Sequence, residues 1–560
     1  MKRTLIIVAI FILSFVMILP VSARAFEMSS FSGPRVTDLY LIIVRDPDAQ
    51  LLALEKGQVH ILSDIARPVD IERLSQNLSI GMSLAKGFHG FFLGFNLRAF
   101  PWNSVALRQA VCEAIPREKL VRDLFSGYAE PLSTFLPPAS PYFEQNVVTY
   151  PYNPDHAKKR LQEAGWSWNK NGILVSPDGT GPDAKRTLTP QKLLSPTAQI
   201  APTTAEIAEQ AAASLRAIGI PIEVEPMDFS TMIALLDERK FDAYVLAWQM
   251  TRDPDSLFAL YHSSMDVKGG YNIPGIYNSN LDSILERLRW AHDEASARLA
   301  TSEAQKMLAD IVPVVPIYSR YSISAASTLW KGTYATSYTT SDNIWSFLRM
   351  EPREGSMEPL RVALADEPRS LNPLTASSAY DWNVLSLIYD ALLAINPENL
   401  GDLPWIAESW KIETIREGDL PATKLSFHIR KGVTWQDGRP LTASDPAFTI
   451  SFLKKHRPPR FYDAVSDVDK VETPDEYTLE VTMKTTSYWH LHNIGGLPIF
   501  PRHILEKVSD WQSWKPAQTP LEGEEGLSQL VGSGPFIFKE YRPGEYVHFI
   551  RNPHFWLLRK

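Results

Sequence analysis

The sequence predicts an α/β protein built from two or more domains, and three observations carry that reading. The chain has 560 residues, too many for a single hydrophobic core. Residues 202–248 read as helix, strand, helix, strand. The composition, 44% hydrophobic and 21% charged, is that of a globular chain rather than a disordered or membrane-embedded one.

A formal net charge of −8 gives no basis for nucleic acid as a partner. The 15 Trp, 20 Tyr and 25 Phe supply rings for cores and for ligand clefts alike. The first 25 residues read as an export signal: Lys2 and Arg3 precede an apolar run from Leu5 to Leu19 broken only by Ser14, and Val21-Ser22-Ala23 and Ala23-Arg24-Ala25 are small-x-small cleavage patterns. The apolar run is short for a membrane span. The single cysteine, Cys112, lies far downstream, so no cysteine after the signal is available to carry a lipid, and internal disulfides are excluded. Its place in ALRQAVCEAI predicts a small core residue on a helix.

From residue 36, VTDLYLIIV reads as an apolar strand. A helix follows from Asp48 to about Lys56, Gly57 ends it, and GQVHIL returns as a short strand. FHGFFLGFNL, residues 88–97, alternates aromatics with glycine. Asn153-Pro154 opens a helix as cap and first turn, and Gly165 closes it. Ile207, Ala211, Leu215 and Ile218 share a helical face that ends at Gly219. Ile220, Ile222 and Val224 alternate as a half-buried strand, Met232 to Glu238 form a second helix, and FDAYVLAW is a strand ending at Trp248. EPREGSME, 351–358, is polar and aperiodic and reads as a linker. Beyond it, Leu425, Phe427 and Ile429 alternate as a strand, Asp437-Gly438 turns, and Thr442 caps a helix with Asp445 at the third position. ETPDEYTLEVTM, 472–483, reads as strands around a turn.

Several of these stretches resemble family 5 extracellular solute-binding proteins, the oligopeptide- and dipeptide-type receptors of ABC importers. LSFHIRKGVTWQDGRPLTASDPAFTISFL (425–453) is the strongest match, joined by SVALRQAVCEAIPREKLV, PYNPDHAKKRLQEAGW, LPIFPRHIL and IVPVVPIYSRYSISA. The order of the halves is swapped. GSGPFIFKEYRPGEYVHFIRNPHFW, 532–556, resembles the segment that normally runs on into VTDLYLIIVRDPDAQLLALEKGQVHIL, 36–62, while PLRVALADEPRSLNPLTASSAYDWNVLSLIYDALLAIN resembles the family's usual beginning. The resemblance implies one complete binder: an α/β two-lobed periplasmic binding protein (type II, cluster C-like), circularly permuted. The expected division is a signal at 1–25, first lobe at 26–93, second lobe at 94–312, a return to the first lobe at 313–350, a linker joining the old termini at 351–358, and the rest of the first lobe with its extra subdomain at 359–560.

No nucleophile–base motif, glycine-rich phosphate loop or paired zinc-ligand spacing appears, so no enzyme activity, cofactor or metal is expected. His490 and His492 lie two apart and would share one side of a strand, but have no acid or cysteine close in sequence. The resemblance places the ligand against the end of the strand at Trp248 and the loop after it, where peptide-binding members carry an aspartate for the ligand's α-ammonium and, three residues before the tryptophan, an arginine. Here the loop before Asp253 is Gln249-Met250-Thr251-Arg252, one residue shorter and without an acid, and Val245 stands at the arginine position. A buried ammonium without a counter-charge loses a charge-assisted hydrogen bond, which argues against ordinary free peptides, while Arg252 would suit acceptor-rich ligands. The expected ligand-binding residues are Trp248, Gln249, Arg252 and Asp253, with Asn96, Tyr380, Trp382 and Trp489. The resemblance implies a small-molecule or peptide-like ligand, an ABC permease as membrane partner, a monomer, and a periplasmic location. A sensory or scaffolding module on the same fold is the alternative.

Overall fold

A computed structural model describes residues 26–178, 182–199, 201–353, 358–417 and 420–559. The expected signal at 1–25, Lys560 and the centre of the expected linker, 354–357, lie outside the described residues.

Two large sheets organise the chain. The first has seven strands in the order Phe536–Arg542, Tyr546–Arg551, Asp38–Ile43, Leu360–Leu364, Ile61–Leu62, Ser322–Ser327, Ile80–Ala85. The second has six, in the order Ala129–Pro131, Val314–Arg320, His89–Phe95, Ala243–Gln249, Gln191–Pro196, Ile222–Met227. The helix–strand alternation expected at 202–248 is present as helix Pro202–Ala217, whose buried face holds Ile207, Ala211 and Leu215, followed by strand Ile222–Met227 running parallel to Gln191–Pro196. A four-stranded antiparallel sheet runs Ala407–Glu417, Leu420–Ile429, Thr478–Met483, Val468–Asp475. Its Leu425, Phe427 and Ile429 are buried in the same core as Leu39, Leu360 and Val547. The second lobe has its own core around Phe95, Trp102, Leu107 and Ile207, where Cys112 is 1% exposed.

Local signals mostly act as read. Asn153 accepts a hydrogen bond from the His156 N–H at the start of helix Pro154–Glu163, and Gly165 follows with φ +85°. The cap at Thr442 is half formed. Helix Ser444–His456 begins after Ala443, yet Asp445 accepts from the Thr442 N–H at 3.0 Å, so only the reaching-back half of the box exists. The Thr442 hydroxyl is taken instead by Ser444 Oγ at 2.8 Å.

Two neighbouring strand pairs join the sheets. Ile80–Ala85 leaves the first sheet and His89–Phe95 enters the second, while Val314–Arg320 returns to Ser322–Ser327 through Tyr321. Each departing strand pairs antiparallel with its returning partner on both sides of the crossing, Ser322 opposite Ala85 and Val315 opposite Leu93. The lobes are therefore connected by a two-stranded ribbon at 86–88 and 321. The expected division at 93/94 falls inside strand His89–Phe95, and that at 312/313 falls before strand Val314–Arg320 begins.

The first and last parts of the described chain meet in the first sheet. Asp38–Ile43 pairs antiparallel with Tyr546–Arg551, Asp38 opposite Ile550, and the Arg551 N–H donates to Thr37 O at 2.8 Å. On its other edge the same strand runs parallel to Leu360–Leu364. The flanks of the expected linker are both held on this lobe: Glu351 binds Arg35 at 3.0 Å, and Glu358 lies 3.5 Å from His60 Nε2.

Candidate functional site between the lobes

Strand Ala243–Gln249 brings Trp248 opposite Gly90 and Gln249 opposite His89, and the Met250 N–H donates to Phe88 O. The strand's end thus lies against the interlobe ribbon. A side chain at Gly90 would overlap Met250 and Phe92, so glycine is what lets the two strands and their rings approach there. Trp248 is half-buried, edge-on to Tyr271 at 5.8 Å. Gln249 is exposed. Beside the ribbon, Arg320 binds Asp64 across the crossing at 2.6 Å, and burial together with the Arg320 charge pushes His89 below the usual histidine range.

The loop after Trp248 is tied to the first lobe by charge. Arg252 Nη2 binds Asp402 Oδ1 at 2.6 Å and Nη1 donates to Leu400 O at 2.8 Å. His492 stands between two carboxylates, with Nδ1 2.8 Å from Asp253 and Nε2 3.1 Å from Asp402. Burial disfavours the imidazolium, but its hydrogen bonds to the Asp253 and Asp402 carboxylates outweigh it and raise His492 to about 9. Burial also acts on the half-buried Asp402, yet His492 and Arg252 hold its carboxyl below the usual range. Two cations and two anions therefore close one polar cluster across the lobes.

The segment before His492 adds an apolar anchor. Ser487 Oγ donates to Arg289 O at 2.7 Å, the Tyr488 N–H to Ala291 O at 2.6 Å, and Trp489 Nε1 to Leu288 O at 2.9 Å. These three carbonyls belong to the end of helix Ser279–Arg289 and the residues just after it, in the second lobe. Trp489 is 2% exposed and packs with that lobe's Tyr142 and Leu288.

These contacts revise several expected roles. Arg252 is committed to Asp402 and Leu400, and Asp253 to His492, so neither charge is free for a ligand in this arrangement. Trp489 is an interlobe anchor, its face covered by Tyr142 and its N–H bonded. Asn96 is buried and donates to Phe241 O at 3.0 Å, which makes it a backbone brace. Trp382 donates to Ala376 O and lies under Arg460 and against Phe461, within the first lobe's packing. Tyr380 is half-buried, its hydroxyl raised by burial and then by the carboxylates of Asp366 and Asp64, the latter being the partner of Arg320 at the ribbon. Trp248, Gln249 and Tyr380 are thus the expected residues left with unspent surface. His490 and His492 lie on helix Trp489–Gly495 rather than on a strand, where a two-residue step points side chains in nearly opposite directions; His490 turns to Asp467 and His492 to Asp253. No group of three or more potential metal ligands occurs among the described residues. The partners Asp402 and His492 were not legible as a site, because each lies more than 100 residues from the loop it meets.

The sequence model of "Bacterial extracellular solute-binding proteins, family 5 Middle" matches residues 33–269 and 403–560. The peptidoglycan-binding protein YepA of Agrobacterium fabrum is 30% identical over 196 residues, covering 33% of this chain and 29% of that protein. The dipeptide-binding protein of Escherichia coli is 21% identical over 295 residues, 52% of each chain. The chain thus spans from under a third to about half the length of these curated relatives. The structure of the oligopeptide-binding protein AppA of Bacillus subtilis with a nonapeptide has 20% identity and a TM-score of 0.46, over 56% of this chain and 59% of that one. With its family match covering well over half of its length, the chain belongs to the family 5 bacterial extracellular solute-binding proteins.

Proposed function

We propose that the chain is an extracytoplasmic solute receptor that closes its two lobes on a peptide-like ligand and hands it to an ABC permease. The observation that carries this reading is the two-stranded ribbon at 86–88 and 321, a narrow connection about which two lobes can rotate, with Trp248 and Gln249 at a strand end beside it. Closure is favoured only by contacts made to both lobes at once, and the Arg252–Asp402 and Asp253–His492 pairs are contacts of that kind. The chain acts as a monomer, exported by its amino-terminal signal to the periplasm, and performs no covalent chemistry, in keeping with a family named for solute binding. Its two halves stand in permuted order; the split family match and the pairing of Asp38–Ile43 with Tyr546–Arg551 support this.

The ligand is a peptide whose amino end is blocked. With Asp253 held by His492, residues 249–253 at the strand end beside Trp248 offer no spare carboxylate for an α-ammonium. A peptide joined through its amino end to a peptidoglycan sugar needs none, and the relative named for peptidoglycan binding points the same way. Native mass spectrometry of the purified protein, followed by denaturing release, tests this. The expected outcome is one equivalent of a blocked or sugar-linked peptide, with free di- to pentapeptides not the main species. Tight saturable binding of a free peptide panel, lost on acetylating the amines, overturns the ligand class. Absence of any saturable solute binding overturns the receptor reading.

A further inference from the structure

A half-open cavity of about 380 Å³ lies within the first lobe, between its large sheet and helix Ala379–Leu385. All its lining residues come from first-lobe segments, and Trp248 is not among them. Asn383 and Ser386, both exposed, mark its mouth on the helix side. The volume is within the range of small-molecule sites.

The wall has one sign of charge. Asp342 and Asp390 line it, and no Lys, Arg or His does. Asp390 is 6% exposed and uses both oxygens, one on Trp405 Nε1 and one on Ser533 Oγ, each at 2.8 Å. Asp342 receives a hydrogen bond from Ser63 on Oδ2, and its Oδ1 has no hydrogen-bond partner among the described residues. Tyr389, 5% exposed and also in the wall, has a hydroxyl with no partner among the described residues. Asp342 is half-buried and its Oδ1 is open to the cavity side, whereas buried polar groups are normally satisfied, so the unpartnered Tyr389 phenol beside an unspent carboxylate oxygen calls for an occupant. The rest of the wall is apolar and aromatic, with Trp345 and Trp405 meeting edge to face at 5.6 Å.

We infer that this cavity is a binding site for a small organic cation, an ammonium on an apolar or aromatic body, with Asp342 as its counter-ion and the tryptophan-lined wall around its body. An ammonium donates to Asp342 Oδ1 and is drawn to ring faces, whereas a carboxylate or phosphate meets two acids and no cation. Burial alone raises both carboxyls, Asp390 to about 6, which marks each as lacking a protein counter-charge. The inference does not depend on the reading of the interlobe cleft.

Titration calorimetry on the full chain with three probes of one shape decides it: 2-phenylethylamine, 2-phenylethanol and phenylacetate. The amine is expected to bind one to one, at least about tenfold tighter than the alcohol, with no binding of the acid. Asp342→Asn, nearly isosteric, is expected to weaken the amine about tenfold or more. Ser386→Trp, at the exposed mouth, is expected to abolish binding, and Trp248→Ala to leave it unchanged. Equal affinity for amine and alcohol, an unaffected Asp342→Asn variant, or loss in Trp248→Ala with retention in Ser386→Trp overturns the site. So does a failure of the amine to bind at about 10 mM, a loose threshold for any specific pocket. If Asp342→Asn does not fold, the probe series and Ser386→Trp decide the question alone.

Discussion

Arg252 and Asp402 form a 2.6 Å ion pair although they belong to opposite lobes, and their side chains are only 13% and 11% exposed. A pair this shielded carries a desolvation cost that only close, well-aligned attraction offsets, so each half depends on the other. Removing one partner leaves an uncompensated charge at the interface.

Arg252→Ala is therefore expected to destabilise the lobe contact by about 3 kcal/mol, since Asp402 is left beside a single remaining cation. Asp402→Asn should cost less on the Arg252→Ala background than alone, giving a measurable coupling in a double-mutant cycle by urea unfolding. Small-angle scattering should show a larger radius of gyration for Arg252→Ala. Additive single effects with an unchanged radius count against an interlobe latch.

Stability should depend on pH through His492. Its folded value of about 9 lies above the ordinary 6.5 because Asp253 and Asp402 overcome the effect of burial. The folded state thus binds more protons between these values, and stability falls as pH rises through that window. The contribution, on the order of 2–3 kcal/mol, is complete below about pH 6.5 and gone above about 9. His492→Asn should melt lower than wild type at pH 6.5, with the gap closing by pH 9.5. A pH-independent gap contradicts the charge assignment.

How far these contacts were legible follows from their spacing. Asn153-Pro154, Gly165 and the 202–248 alternation act within a few residues, and they appear as read. Cys112 was placed by helical periodicity alone and is buried as expected. The site differs because its members are joined only by the fold. Arg252 meets Asp402 and Asp253 meets His492 across 150 and 239 residues, and no local pattern announces such a pair. His490 and His492 show the reverse failure: a two-residue step suggests a shared side only if the backbone is extended, and TSYWHLHN is helical from Trp489.

Trp489→Ala should be the most damaging single change at the interface. It removes a side chain 2% exposed and the donor to Leu288 O, and leaves a cavity beside Tyr142. The expected loss is about 3–5 kcal/mol in urea unfolding, with a reduced near-ultraviolet circular dichroism signal. A loss under about 1 kcal/mol, in the range of surface substitutions, would mean that the anchor is loose in solution.

Cys112 should be silent in the native protein. It is fully enclosed in the second lobe's core, and burial pushes its thiol up to about 12. The thiolate is the reactive form, so labelling by a thiol-disulfide reagent at pH 8 should proceed only as fast as the chain opens. Denaturation in urea should release one thiol per chain. Rapid native labelling contradicts this burial.

The proposed permuted order has the most direct test. Strand Asp38–Ile43 is held between Tyr546–Arg551, antiparallel, and Leu360–Leu364, parallel. The antiparallel pair is the kind of neighbour a short connection joins, with the Arg551 N–H already on Thr37 O at 2.8 Å. A rearranged chain that begins at Glu358, runs to Lys560 and continues through a short loop into Arg35–Met350 keeps every one of these pairings. It should fold as a monomer, bind the same solute and melt within a few degrees of the natural order, since only loop closure changes. The opposite geometry is an exchange in which the first half of one chain completes the second half of another. Light scattering separates the two: a natural protein of dimer mass, or a rearranged chain that aggregates while the natural one does not, means that the halves meet between chains and not within one.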